Sequence, residues 1–114
     1  MNGCVFCRIV AGKEPARIVY EDDRILAFED IRPQGPDHTL VIPKRHVATL
    51  AELRSEDAPL IGEMVLAASR IAAEKGIAAR GFRLVANCNR DGGQTIYHLH
   101  LHLIGGRAMG WPPG

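Results

Sequence analysis

The sequence has no basic run, no interleaving of aromatic with basic residues, and almost no net charge: 14 Lys and Arg against 13 Asp and Glu leave +1 at pH 7. A chain so balanced has no field with which to hold a nucleic acid polymer. No window approaches the ~18 apolar residues of a membrane-spanning helix. The opening Met-Asn-Gly-Cys-Val-Phe-Cys lacks the basic stretch and apolar run of an export signal, so a cytoplasmic protein without membrane attachment is expected. Cysteine is scarce and odd in number, three in all, which suits a reducing compartment better than a disulfide framework. What is present is 46% hydrophobic residues over 114 positions. That is enough for one core and not two, so residues 1–114 are expected to form a single domain.

The most informative stretch is Tyr97-His98-Leu99-His100-Leu101-His102-Leu103-Ile104. On an extended strand, alternate side chains share a face, which puts His98, His100 and His102 on one side and Tyr97, Leu99, Leu101 and Leu103 on the core side. Alternate residues stand about 6.7 Å apart, so His98 and His102 are separated by roughly 13 Å at the backbone. Metal–nitrogen bonds of about 2.1 Å gather two such rings more readily than three. One metal shared by all three is therefore disfavoured, and the natural reading is a central His100 acting on a substrate with its neighbours in supporting roles.

Cys4 and Cys7 open the chain with a Cys-x-x-Cys spacing that fits a redox dithiol, two inert thiols or half of a metal site. His46 and His98 could complete a Cys2His2 set of the kind zinc favours. Residues 5–10 read as a short helix closed by Gly12, and residues 17–21 and 25–29 as a hairpin around Asp22-Asp23. Asp30 follows at a strand end, either a solvated turn carboxylate or an acceptor for ribose hydroxyls. Residues 38–43 form a β-branched run expected to be a buried strand. A turn of helix at 49–53 precedes a longer helix with Ser55 as N-cap and Gly76 past its end. The longer helix carries an apolar stripe of Leu60, Ile61, Met64, Val65, Ala68, Ile71 and Ala72. Residues 82–87 read as a strand leading into Asn87-Cys88-Asn89-Arg90-Asp91-Gly92-Gly93-Gln94-Thr95. There glycine lets backbone N–H groups approach an anion while Asn87, Gln94 and Thr95 add donors, so a phosphate cradle is favoured over a plain hairpin connection.

His98-Leu99-His100-Leu101-His102-Leu103-Ile104 resembles the signature of the histidine triad (HIT) superfamily. The likeness extends through Cys4-Val5-Phe6-Cys7, Phe28-Glu29-Asp30-Ile31, His38 to His46, Asp91-Gly92-Gly93-Gln94-Thr95 and the final Trp111-Pro112-Pro113-Gly114. The loop and tail look like the histidine triad nucleotide-binding branch rather than the dinucleoside-polyphosphate hydrolase branch. The resemblance implies an α+β fold: an antiparallel sheet with one long helix and a short N-terminal helix, assembled as a homodimer. It implies purine nucleoside phosphoramidase activity on AMP or GMP derivatives, including aminoacyl adenylates, with His100 as the nucleophile that becomes nucleotidylated. His102, Thr95 and Asn87 then match phosphate contacts, His38 and His98 further histidines of the site, and Asp30 the ribose carboxylate. Phe6, Phe28 and Ile31 match the base pocket, Gly93 and Gln94 the phosphate loop, and Trp111 a tail residue reaching the partner subunit.

Cys4, Cys7, His46 and His98 match a structural zinc set, and no catalytic cofactor is implied. Thr95 stands where this branch commonly has serine, keeping the hydroxyl but adding a methyl. Three other readings stay open: a regulatory or adaptor protein with vestigial catalysis, a nucleotidyl transferase, and a dinucleoside-polyphosphate hydrolase.

Overall fold

The computed structural model describes residues 3–114. Five antiparallel strands form one sheet in the order β1-β2-β3-β5-β4. In chain order these are β1 (Ile18–Glu21), β2 (Ile25–Glu29), β3 (Asp37–Pro43), β4 (Phe82–Val85) and β5 (Leu101–Gly105). The β1–β2 turn is closed by Asp22, whose Oδ1 accepts the N–H groups of Arg24 and Ile25 at 2.9 and 2.8 Å. β3 lies between β2 and β5 and is buried from His38 to Pro43. A strand covered on both faces has no solvent side to alternate with, which is why Leu40 to Pro43 form an unbroken apolar run.

Each face of the sheet carries one helix. On one face, Ile25, Ala27, Val41, Leu99 and Leu103 pack against helix α2 (Ala58–Glu74) through Leu60, Met64, Ala67, Ala68, Ile71 and Ala72. On the other, Leu26, Phe28, Leu40 and Ile42 meet Phe6 and Ile9 of helix α1 (Val5–Val10). The helix stripe departs from the expected one at two positions. Val65 is exposed while Ala67 is buried, because a small residue lets α2 lie close to the sheet and moves the contact line around the helix. Ser55 does not cap α2: a 3-10 turn (Ser55–Asp57) intervenes and Asp57 occupies the cap position. There the Asp57 carboxylate accepts from the Arg54 N–H and ion-pairs with Arg45. Gly76, at φ +76°, does end the helix as expected.

The histidine segment is strand only from Leu101. Residues 96–100 run as an irregular approach to it, held to the segment after β3 where the Leu99 N–H donates to the Val47 carbonyl at 2.7 Å. Leu99 and Leu103 still enter the α2 core and the three histidines still lie away from it, but Tyr97 is half exposed. Losing the strand geometry lets His98 and His100 diverge, and they end in different sites. No helix among the described residues is long and apolar enough to cross a membrane.

Candidate active site

A cavity of about 730 Å3 opens on the α1 face of the sheet, large enough for a ligand of nucleotide size. Its inner wall includes Phe6, Phe28 and Leu40, with Ile31 at the lip, 90% exposed. Asp30, His38, Asn87, Gly93, Thr95, His100 and His102 bring polar groups to the same space. Asp30 follows β2, and its Oδ1 accepts the Arg32 N–H at 2.8 Å. In the ladder His102 lies opposite Leu40 and His38 opposite Ile104, so the two histidines are diagonal neighbours on the cavity face.

The hydrogen bonds determine which ring nitrogen carries each proton. The Nδ1 of His100 lies 2.7 Å from the His98 carbonyl, which can only accept; His100 is therefore protonated at Nδ1 and its Nε2 keeps a lone pair. No buried side-chain nitrogen among the described residues lacks a partner, so this Nε2, which makes no hydrogen bond to the protein, faces the open cavity. The Gln34 N–H donates to Nδ1 of His38 at 2.9 Å, so the His38 proton sits on Nε2. That Nε2 lies 2.9 Å from Nδ1 of His102 and 3.3 Å from the Asp30 carboxylate. His102 accepts at Nδ1 and keeps its own proton on Nε2, toward the cavity. Side by side stand one imidazole lone pair and one imidazole donor.

Burial holds all three rings in the neutral form. It lowers the pKa of His38 despite the opposing charges of Asp30 and Glu29, and that of His100 despite its carbonyl bond and Asp30. His102 falls to about 4, through burial first and then the neighbouring His100 and His38.

Two residues expected at this site point elsewhere. The His98 ring leaves the cavity: its Nε2 donates to the Pro43 carbonyl at 2.7 Å, and only its backbone carbonyl serves His100. The Gln94 side chain is spent on backbone groups, donating to the Ala48 and Ile96 carbonyls at 2.8 and 3.0 Å and accepting the Asn89 N–H at 2.9 Å. Nor does the loop offer all its backbone N–H groups to an anion. Those of Gly93 and Gln94 close turns onto the carbonyls of Arg90 and Asn89, leaving Thr95 and Asn87 as the side chains that line the cavity. Trp111 is 85% exposed and does not line the cavity. Missed in the sequence were Gln34, which sets a tautomer through its backbone alone, and the apolar wall of Val5, Ile9, Pro15, Ala16 and Ile96. Only the folded chain brings that wall to the histidines.

Behind the cavity, Cys4, Cys7, His46 and His98 turn their donor atoms toward one point, all within 4.8 Å of one another. The two Nδ1 atoms are 3.2 Å apart, and sulfur–nitrogen separations run 3.3, 3.4 and 3.6 Å. Around a tetrahedral zinc the N–N edge is about 3.3 Å and the S–N edge about 3.6 Å. Donation from His98 Nε2 to Pro43 leaves Nδ1 free to ligate, the arrangement by which a carbonyl orients a metal-binding histidine. These four residues could hold a zinc ion.

With this geometry in place, the comparison with known proteins is direct. The family model described as "Scavenger mRNA decapping enzyme C-term binding" matches residues 3–110. The fold superposes on the crystal structure of a HIT family hydrolase from Legionella pneumophila Philadelphia 1 with a TM-score of 0.96 and 50% identity, covering 97% of this chain and 99% of that one. The chain belongs to the histidine triad (HIT) family. Among its HIT relatives is the purine nucleoside phosphoramidase of Escherichia coli K12, 44% identical over 106 residues, 93% of this chain and 89% of that protein. Another is a zinc-bound histidine triad family protein from Mycobacterium smegmatis, with a TM-score of 0.80 and 36% identity over 93% of this chain and 76% of that one.

Proposed function

We propose that this HIT hydrolase cleaves purine nucleoside 5′-phosphoramidates and aminoacyl adenylates, releasing the nucleoside monophosphate through a covalent nucleotidyl-histidine. The observation that carries this reading is the bond from His100 Nδ1–H to the His98 carbonyl at 2.7 Å, which leaves Nε2 as a free, neutral nucleophile that needs no separate base. In the first step the Nε2 lone pair attacks phosphorus and the bond to the leaving group breaks: the phosphorus–nitrogen bond of a phosphoramidate, whose nitrogen takes a proton from solvent and departs as the amine, or the phosphorus–oxygen bond of an aminoacyl adenylate, from which the amino acid departs as its carboxylate. In the second, water attacks the phosphorus and releases a proton to solvent, the bond to His100 breaks and the neutral imidazole is restored.

The supporting roles follow from the donors at hand. His102 Nε2–H, the Thr95 hydroxyl and the Asn87 amide steady charge on the non-bridging oxygens, as preformed donors do where charge develops. His38 holds His102 in the donor tautomer. Asp30 receives the ribose hydroxyls, and Phe6, Phe28 and Ile31 sandwich the purine. Zinc at Cys4, Cys7, His46 and His98 is structural, since four protein ligands leave no position for substrate. Residues 1–114 act as one domain, in a cytoplasmic homodimer where Trp111 meets the partner's site. The exposed Val65 and Leu66 of α2 and the edge position of β4 in the sheet support a pairing surface.

The test compares hydrolysis of adenosine 5′-phosphoramidate with that of a dinucleoside polyphosphate at equal concentration. Faster turnover of the phosphoramidate is expected; the opposite order would move the protein to the polyphosphate hydrolases. A transferase would show little hydrolysis until an acceptor other than water is supplied, and an adaptor would keep its biological activity in a His100→Asn variant.

A further inference from the structure

The turn at 33–36 touches the cavity through Gln34, yet its most consequential group is a backbone one. A histidine has two neutral tautomers, and an N–H donor aimed at one nitrogen excludes the proton from it. The Gln34 N–H on His38 Nδ1 therefore dictates Nε2–H on His38, a lone pair at Nδ1 of His102, and a proton at Nε2 of His102. If Gln34 moved away, His38 could carry its proton on Nδ1. The polarity of the pair would then reverse, and His102 would turn a lone pair, not a donor, toward the phosphate.

The segment that ends the histidine strand holds this turn. Arg107 Nε donates to the Gln34 carbonyl at 2.9 Å, and the Gln34 side-chain amide returns to the Arg32 carbonyl at 3.1 Å. The fit is close on both sides. A Cβ on Gly35 would stand 3.2 Å from the Gly105 carbonyl oxygen and from Ile104 Cγ2, and 3.5 Å from Arg107 Nε. A Cβ on Gly106, whose φ is +86°, would stand 2.8 Å from Pro36. Arg107 is exposed and lines no part of the cavity, so any influence on the reaction passes through Gln34.

We propose that Arg107 is a positioning residue: by clamping the 33–36 turn onto the end of β5, it fixes the tautomers of His38 and His102. The kinetic half of this inference rests on the phosphoramidase reading; the tautomeric half does not. The test is ¹⁵N NMR of the histidine rings in the native protein and in Arg107→Ala, Arg107→Lys and Gly35→Ala, beside steady-state kinetics with adenosine 5′-phosphoramidate. In the native protein His38 Nδ1 should be unprotonated; in Arg107→Ala and Gly35→Ala both His38 tautomers should appear. Loss of one such hydrogen bond should lower kcat roughly fivefold, with KM held within about twofold, and Arg107→Lys should recover most of the loss. Unchanged tautomers in both Arg107→Ala and Gly35→Ala, or a kinetic loss confined to KM, would overturn the proposal. A tautomer change in a protein that hydrolyses no phosphoramidate would uphold the clamp and remove only the reaction assigned above.

Discussion

His102 shows how much chemistry a buried side chain takes from its surroundings. An ordinary imidazole titrates near pH 6.5, but burial and two neighbouring rings bring this one to about 4. Between those values the unfolded chain binds a proton that the folded chain refuses. The contribution of His102 to stability is therefore full above about pH 6.5, lost as pH falls from about 6.5 to about 4, and absent below. Thermal unfolding followed across that window should show the decline, and a His102→Asn variant should show less of it. His38 and His100 are lowered as well, so the acid limb of kcat/KM should have its midpoint below pH 6.5; a midpoint at or above 6.5 would mean that burial does not lower the pKa of the ring whose protonation stops the reaction. His100→Asn should cut hydrolysis by about 10³-fold or more while nucleotide binding, followed by titration calorimetry, stays near native.

At the scale of elements, β5 and the loop before it carry the site on a tightly packed base. Leu103 is fully buried between the sheet and α2, and Leu103→Ala should cost about 2–5 kcal/mol in denaturant unfolding. The loop that precedes the histidines has its own lock. A Cβ on Gly92 would lie 2.5 Å from the Cys88 carbonyl oxygen, and Gln94 ties three backbone groups together. What the sequence revealed of all this follows from what periodicity can carry. The strands, the two helices and the core side of Leu99 and Leu103 were legible, because each has a local signal: a stripe along α2, an apolar β-branched run in β3, a turn or closing glycine at the ends of the others, and alternation at the histidines. The break in β5 before Leu101 was not, since the pattern of residues 97–104 is the same whether or not the chain pairs there. Neither were the partners of His98 and Gln94, whose side chains are claimed by Pro43, Ala48 and Ile96, groups brought near only by the folded sheet. Asp30, which its sequence surroundings left open between a solvated turn carboxylate and a ribose acceptor, is placed beside His38 by the β2–β3 register.

For the whole molecule, the cluster of Cys4, Cys7, His46 and His98 joins the N-terminal helix, the segment after β3 and the approach to β5. A zinc ion present at about 100 times its dissociation constant would add about 2.7 kcal/mol to folding. Chelation should accordingly lower the melting temperature by roughly 10 °C, with elemental analysis returning one zinc per chain in the untreated protein. Because His98 also offers its carbonyl to His100, stripping the metal should slow turnover in addition to loosening the fold. Sedimentation should give a mass twice the 12.5 kDa of the chain.

The proposed reaction requires that one nitrogen, Nε2 of His100, bond to phosphorus during turnover. Mass spectrometry of the protein quenched during reaction with a slow adenylate analogue tests this directly. One nucleotidyl group should appear on the peptide that contains His100 and be absent from His100→Asn. Native protein that binds and hydrolyses the nucleotide yet never carries the adduct would contradict it.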